Sequence, residues 1–182
     1  MNKMVALENL RQEMLGDKKL PLKTKLIFGE GSPKSKILFI GEAPGATEEE
    51  QGRPFVGRSG QLLRQCIRAI DWKEEDVYIT NIVKRRPPEN RDPLPREIAF
   101  YKPYLEKQIQ ILQPKIIVTL GRFSMNFFLP EAKITRDQGK LFKVGNWSVF
   151  PILHPAFALR GTRAMKNFKE SFEKLKAISY KL

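Results

Sequence analysis

Three polar residues stand at the ends of apolar runs, where a buried sheet has no use for them. Glu42 follows residues 37–40 (ILFI), Asn81 lies near the end of 77–83 (VYITNIV), and His154 follows 148–153 (SVFPIL). If those runs are parallel strands, a carboxylate, an amide and an imidazole share one edge of the sheet, the edge at which open α/β sheets hold their ligands. Each residue also has a simpler role open to it. A glutamate after a strand can be a solvated turn residue, an asparagine a turn former, and a lone histidine a packing residue or helix cap. Together on one edge they point to a ligand site.

The surrounding sequence supports that reading. In 37–60, Gly41, Pro44 and Gly45 set a tight turn around Glu42, and Gly52, Gly57 and Gly60 bracket Arg53, Pro54 and Phe55. Ser59 is the expected N-cap of a following helix. An acidic turn, an aromatic and a helix start so close together read as a pocket rim. After His154, the run 155–163 (PAFALRGTR) mixes apolar residues with arginines. Leu159 beside Arg160 suits a wedge that enters a duplex while arginines hold phosphates; alternatively Leu159 begins the last helix and packs inward.

The positioning elements follow from hydrophobic period. Apolar runs at 37–40, 77–83, 115–120 and 148–153 predict four strands, the last entered through a hairpin turn at Gly145-Asn146. Helical spacing predicts helices over 4–14, over 59–70 with Leu62, Leu63, Cys66, Ile67 and Ile70 inward, over 96–112 with Pro103 kinking or splitting it, and over 164–178. A short extended piece is expected at 26–28, and loop with an edge strand over 135–144. Residues 84–95 (KRRPPENRDPLP), with four prolines and four basic residues, predict an exposed basic loop. Helices alternating with strands give an α/β fold, a three-layer α/β/α sandwich around a mostly parallel four-stranded sheet. The 182 residues are expected to form a single domain, 1–182.

Charge is the strongest global signal. Lysine and arginine outnumber aspartate and glutamate 33 to 20, a net +13, with a pI near 9.9. That excess favours a polyanionic partner, and nucleic acid over a membrane because no basic amphipathic anchor stands out. No apolar run approaches the roughly 20 residues of a membrane span. A cytoplasmic monomer is the expectation. One cysteine, Cys66, and one histidine, His154, leave no set of residues for a zinc site or disulfide.

The blocks GEAPG (41–45), GRPFVG (52–57), TNIVK with RPPENRDP (80–93) and HPAFALR (154–160), in this order, resemble the uracil-DNA glycosylase superfamily, and most closely its family 4, the iron-sulfur type. The resemblance implies a glycosylase that flips uracil out of DNA, hydrolyses its N-glycosidic bond and leaves an abasic site. It implies that Asn81 reads the base through its amide, that Phe55 stacks on it, and that Ala43 and Glu48 line the base pocket. It further implies that His154 stabilises charge on the departing base and that Glu42 positions or activates water. Glu48, with Glu42, would shape the pocket against the 5-methyl of thymine.

The chain departs from the family in one respect. Family 4 proteins hold a four-iron cluster with four cysteines, and the two ligand positions that align near the asparagine motif carry Arg85 and Tyr101 here. The expectation is a relative with no iron-sulfur cluster, with Tyr101 filling part of the vacated volume. Arg85, Arg86 and Arg91 of the basic loop would still be able to bind phosphates. The family's covalent-capture branch needs a further histidine, which this chain lacks. Two other readings stand beside a uracil-specific enzyme: a catalytically inactive DNA-binding relative, and a glycosylase for another deaminated base.

Overall fold

Residues Ile37 and Phe39 point to one side of their strand and Leu38 and Ile40 to the other, and both sets are buried, so this strand has helices against each face. The computed structural model, which describes residues 2–180, runs α1 (Lys3–Gly16), β1 (Glu30–Gly31), β2 (Ile37–Gly41), α2 (Ala46–Gln51), α3 (Arg58–Ala69), β3 (Tyr78–Asn81), α4 (Pro95–Leu112), β4 (Ile116–Leu120), α5 (Arg122–Phe128), α6 (Ile134–Asp137), β5 (Phe142–Val144), β6 (Trp147–Ile152), α7 (Pro155–Ala158) and α8 (Thr162–Ser179). The sheet order is β1-β3-β2-β4-β6-β5. The four inner strands are parallel, as expected, so their C-terminal ends share one edge.

The expected four-stranded sheet has six strands. β1 and β5 are short antiparallel edges on β3 and β6, and β5 enters β6 through the hairpin at Gly145, whose φ of 56° suits that turn. The extended piece expected at 26–28 forms no strand; Ile27 instead donates to the Lys84 carbonyl at 2.7 Å. One face of the sheet packs Phe39, Val118 and Phe150 against Leu63, Ile67, Phe168 and Phe172 of α3 and α8. The other packs Leu38, Ile40 and Ile117 against Leu10 and Met14 of α1 and Tyr101, Leu105 and Ile109 of α4.

Two local expectations change, and of the two alternatives at Pro103 splitting falls away. α3 begins at Arg58 with Gly57 as its N-cap, not Ser59, because the Gly57 carbonyl already accepts from Gln61 N–H at 2.9 Å. α4 is one continuous helix, with Pro103 on its exposed side, where water can satisfy the carbonyl that proline leaves without a donor. The basic loop is not wholly exposed. Lys84 is fully buried, its Nζ donating to Gln108 Oε1 at 2.6 Å and to Thr80 Oγ1, and burial pushes its pKa well below the ordinary lysine value. No described helix is long and apolar enough to cross a membrane.

Candidate active site

Asn81 and Gly41 are paired across β3 and β2, and the pairing continues beyond the strands: Ile82 N–H donates to the Gly41 carbonyl at 2.9 Å and Val83 N–H to that of Glu42 at 3.0 Å. This fixes the Asn81 side chain at the sheet edge. Asn81 is 1% exposed and its Oδ1 has no hydrogen-bond partner. A buried acceptor without a donor carries a penalty of about 1–3 kcal/mol, so it is a place where a ligand N–H is expected. Gly41 leaves the room: a Cβ there would stand 2.5 Å from that oxygen and 2.3 Å from the Phe55 ring.

Phe55 and His154 complete the cavity. It measures about 360 Å³ and is lined by Ala43, Glu48, Phe55, Asn81 and His154, together with Gly45, Ser59, Asn90 and Ala156. Phe55 is buried and has φ 53°, a left-handed backbone that a bulky residue adopts at a cost of about 1–3 kcal/mol. Its ring lies 6.1 Å from that of His154, centroid to centroid. His154 caps α7, with Nδ1 accepting from Ala156 N–H at 3.1 Å. The remaining nitrogen, Nε2, therefore carries the proton of the neutral ring. Burial lowers the His154 pKa to about 4, against a smaller opposing pull from the Glu48 carboxylate. The imidazole is a neutral donor through the physiological range.

Glu48 is buried in α2 and has most of its acceptor capacity committed. Oε1 accepts from Val56 N–H at 2.9 Å and Gly57 N–H at 2.8 Å, and Oε2 from Gly45 N–H at 3.2 Å. It ties the Glu42 turn to the Phe55 loop while forming part of the cavity wall. Glu42 lies next door, in a groove of about 550 Å³ that shares Ala43, Asn90, His154 and Ala156 with the first cavity and adds Asp92, Arg122, Phe123, Phe157 and Arg160. Burial raises the Glu42 pKa to about 7; the Asp92 carboxylate raises it further and Arg122 opposes. Asp92 and Arg122 are themselves 3.7 Å apart.

The five residues expected at DNA separate. Arg160 is exposed in the groove and has no side-chain partner among the described residues. Arg86 is half-buried, bonded to Glu49 at 3.0 Å and Asn90 at 2.8 Å, and Arg91 forks onto Glu97 at 2.7 and 2.9 Å. Arg85 turns inward: one Nη donates to the Thr24 carbonyl, and its Nε is buried without a partner. Leu159 is half-buried against the core, because the four-residue α7 turns it inward and leaves Phe157, 48% exposed, facing the groove. Asp92 and Arg122 do not stand out in the sequence, and Phe157 stands there beside Leu159 and Arg160 within the apolar run after His154. Arg122 follows the C-terminal end of β4 and so occupies the same ligand edge; that position was the available signal.

The residues present do not fit a four-iron cluster. Such a cluster takes four thiolates; the one cysteine, Cys66, is buried in α3 on the far face of the sheet from Tyr101, and no group of three or more metal-ligating side chains occurs among the described residues. Tyr101 is fully buried and donates to the Pro21 carbonyl at 2.9 Å. It and Arg85 thus tie the 17–25 segment to α4 and the end of β3.

Residues 28–176 match the family model described as the uracil DNA glycosylase superfamily. The chain is 44% identical to the type-4 uracil-DNA glycosylase of Sulfurisphaera tokodaii, over 97% of this chain and 86% of the relative. It is 38% identical to that of Archaeoglobus fulgidus over 94% and 92%, and 44% identical to that of Saccharolobus solfataricus over 81% and 73%. Family model and relatives agree, and the cavity stands at the strand ends: the chain belongs to the uracil-DNA glycosylase superfamily.

Proposed function

We propose that this protein is a uracil-DNA glycosylase, a single-domain, monomeric cytoplasmic enzyme that hydrolyses the bond between uracil and its sugar in DNA and leaves an abasic site. The observation that carries the proposal is the buried, unpartnered Oδ1 of Asn81, facing a cavity that also holds an aromatic ring and a neutral imidazole donor. A base inside a duplex cannot reach such a cavity, so the nucleotide must swing out of the stack.

Each side chain then has a task. Asn81 Oδ1 accepts the imide N–H of uracil, and Phe55 stacks on the base. As the bond between N1 and C1′ breaks, its electron pair leaves with the base and positive charge gathers on the sugar. His154 donates Nε2–H to the base oxygen where negative charge collects. Ionised Glu42 takes a proton from the water that adds to C1′, and its charge favours the cationic sugar. With a pKa near 7, Glu42 is about half ionised at neutral pH. Ala43 and Glu48 complete the wall. Arg160, Arg122, Arg86 and Arg91 supply positive charge to the strand, and Phe157 rather than Leu159 is the apolar side chain placed to enter the stack. Arg85 supports the fold. The reaction requires no iron-sulfur cluster.

The test is incubation, in chelator, with a single-stranded oligonucleotide carrying one uracil, followed by alkali to cleave abasic sites. Strand cleavage at the uracil is the expected result. No cleavage, with salt-sensitive DNA binding intact, would leave a binding protein or an enzyme for another damaged base.

A further inference from the structure

Phe55 holds a left-handed backbone, φ 53°, that nothing in its own side chain favours. Two contacts keep it there. Gly60 approaches so closely that a Cβ would stand 2.0 Å from the Phe55 carbonyl carbon. Arg64, in the second turn of α3, donates Nε–H to the Phe55 carbonyl at 2.8 Å and Nη2–H to the Pro54 carbonyl at 2.9 Å. The guanidinium is itself fixed from outside: Nη2 also meets Glu30 on the edge strand β1, and Nη1 donates to Glu74 at 2.8 Å. Its side chain is 11% exposed. Glu30 is gripped from the other side by Arg53, with bonds of 2.8 and 3.0 Å. Each guanidinium nitrogen thus has an acceptor, and two of the four acceptors are the carbonyls on either side of the Phe55 backbone nitrogen and Cα.

We propose that Arg64 is a positioning residue for base stacking: its fork, anchored by Glu30 and Glu74, holds the Phe55 backbone in its left-handed conformation and so sets the plane of the ring in the base pocket. The guanidinium does not line the cavity, and its action runs through Phe55. A neutral side chain or an ammonium cannot reach two carbonyls and two carboxylates in one plane. The proposal rests on Phe55 being the stacking ring, so its test must separate the two ideas.

Single-turnover uracil excision is measured for wild type, Phe55→Ala, Arg64→Gln and the double variant, with thermal unfolding of each. A displaced ring predicts that Arg64→Gln slows excision about 10- to 100-fold, since misplacement by an ångström costs that order. In the Phe55→Ala background the same change should slow it by less than about twofold, because the side chain through which Arg64 acts is gone. A penalty that persists undiminished in that background would overturn the proposal, as would a folded Arg64→Gln at wild-type speed. If Phe55→Ala alone excises at the wild-type rate, the stacking assignment fails instead. Arg64→Lys is taken through the same cycle and stands in should the glutamine variant not fold. It keeps a cation between the carboxylates but not the fork, and is expected to remain slow; full speed would show that charge alone suffices and would overturn the proposal.

Discussion

The rings of Phe55 and His154 lie 6.1 Å apart, centroid to centroid, with their planes inclined by 38°. One arrives on the loop between α2 and α3, the other at the end of β6, and Asn81 stands in the cavity they line. Because Nδ1 of His154 accepts from Ala156, its Nε2–H is the ring's free donor. His154→Ala should therefore lower the single-turnover rate by about 10²–10³-fold, the cost of losing one donor to a developing anion. Binding to uracil-containing DNA should change little. Burial-lowered to about 4, His154 should contribute no limb to the pH–rate profile between pH 5 and 8. A limb in that range that disappears in His154→Ala would contradict a neutral donor.

Asn81 offers a sharper separation of binding from chemistry. Its unpartnered Oδ1 has no evident role in the fold, so Asn81→Ala should be tolerated in stability. Excision of uracil should fall by at least about 10²-fold, since a site built to hydrogen-bond its substrate discriminates strongly when that bond is lost. Affinity for undamaged DNA should stay within about twofold, phosphate contacts being elsewhere. Retained excision by this variant would remove the amide from the base-reading role.

The four inner strands were readable because consecutive apolar residues buried on both faces leave a pattern that survives in one dimension. β1 was not: two residues cannot display a period, and its pairing is a tertiary fact, whereas the edge strand β5 was legible through the Gly145-Asn146 hairpin that joins it to β6. α2, sequence ATEEEQ, has no apolar stripe, and Glu48 ties it to the Phe55 loop by accepting from Val56 and Gly57 N–H. The pocket residues Glu42, Asn81 and His154 were legible as polar groups after apolar runs. Leu159 and Phe157 could not be told apart, because which of them faces the groove depends on the single turn of α7. Arg64 was hidden more deeply, its partners Glu30, Phe55 and Glu74 meeting only in the folded chain.

Lys84 gives the fold a pH dependence of its own. Its amine is buried beside Thr80 and Gln108 with a pKa pushed by burial well below the ordinary lysine value, so the fold binds that proton less readily than the unfolded chain does. The unfolded state then carries the extra proton, and stability rises with pH between the two values and is lost as pH falls. Urea unfolding at a series of pH values below the ordinary lysine value should show stability rising with pH, by at most about 1.4 kcal/mol per pH unit from this group. Lys84→Met should flatten the slope by that amount, and equal slopes would mean that the lysine is charged in the fold.

Salt dependence should sort the arginines. Arg160 is exposed in the groove without a side-chain partner, so Arg160→Ala should reduce the slope of log affinity against log salt by about one unit. Arg85→Ala should leave the slope unchanged and lower stability instead, because the Arg85 guanidinium holds the Thr24 carbonyl inside the protein. Fluorescence anisotropy on undamaged DNA from low to moderate salt reads both. A reduced slope for Arg85→Ala alone would return that residue to the DNA surface.

Glu42 should set the enzyme's pH optimum, and its neighbours should move it in opposite directions. Its pKa near 7 arises first from burial, is raised further by Asp92 and is lowered by Arg122. If the ionised carboxylate is the form that takes the water proton, the single-turnover rate climbs as pH rises through 7 and levels above it. Removing a negative neighbour favours ionisation, so Asp92→Asn should move the rising limb to lower pH. Removing a positive one disfavours it, so Arg122→Gln should move the limb to higher pH. The two residues are also paired with each other at 3.7 Å, and both are mostly exposed, so each shift is well under one pH unit on the order expected for screened charges. The stability sign is opposite to the activity sign: with its folded pKa raised, Glu42 favours folding below the ordinary carboxylate value, and that contribution is lost as pH rises through 7. Glu42→Gln should remove both the limb and this loss. Shifts of the same sign in Asp92→Asn and Arg122→Gln would place the titrating group elsewhere.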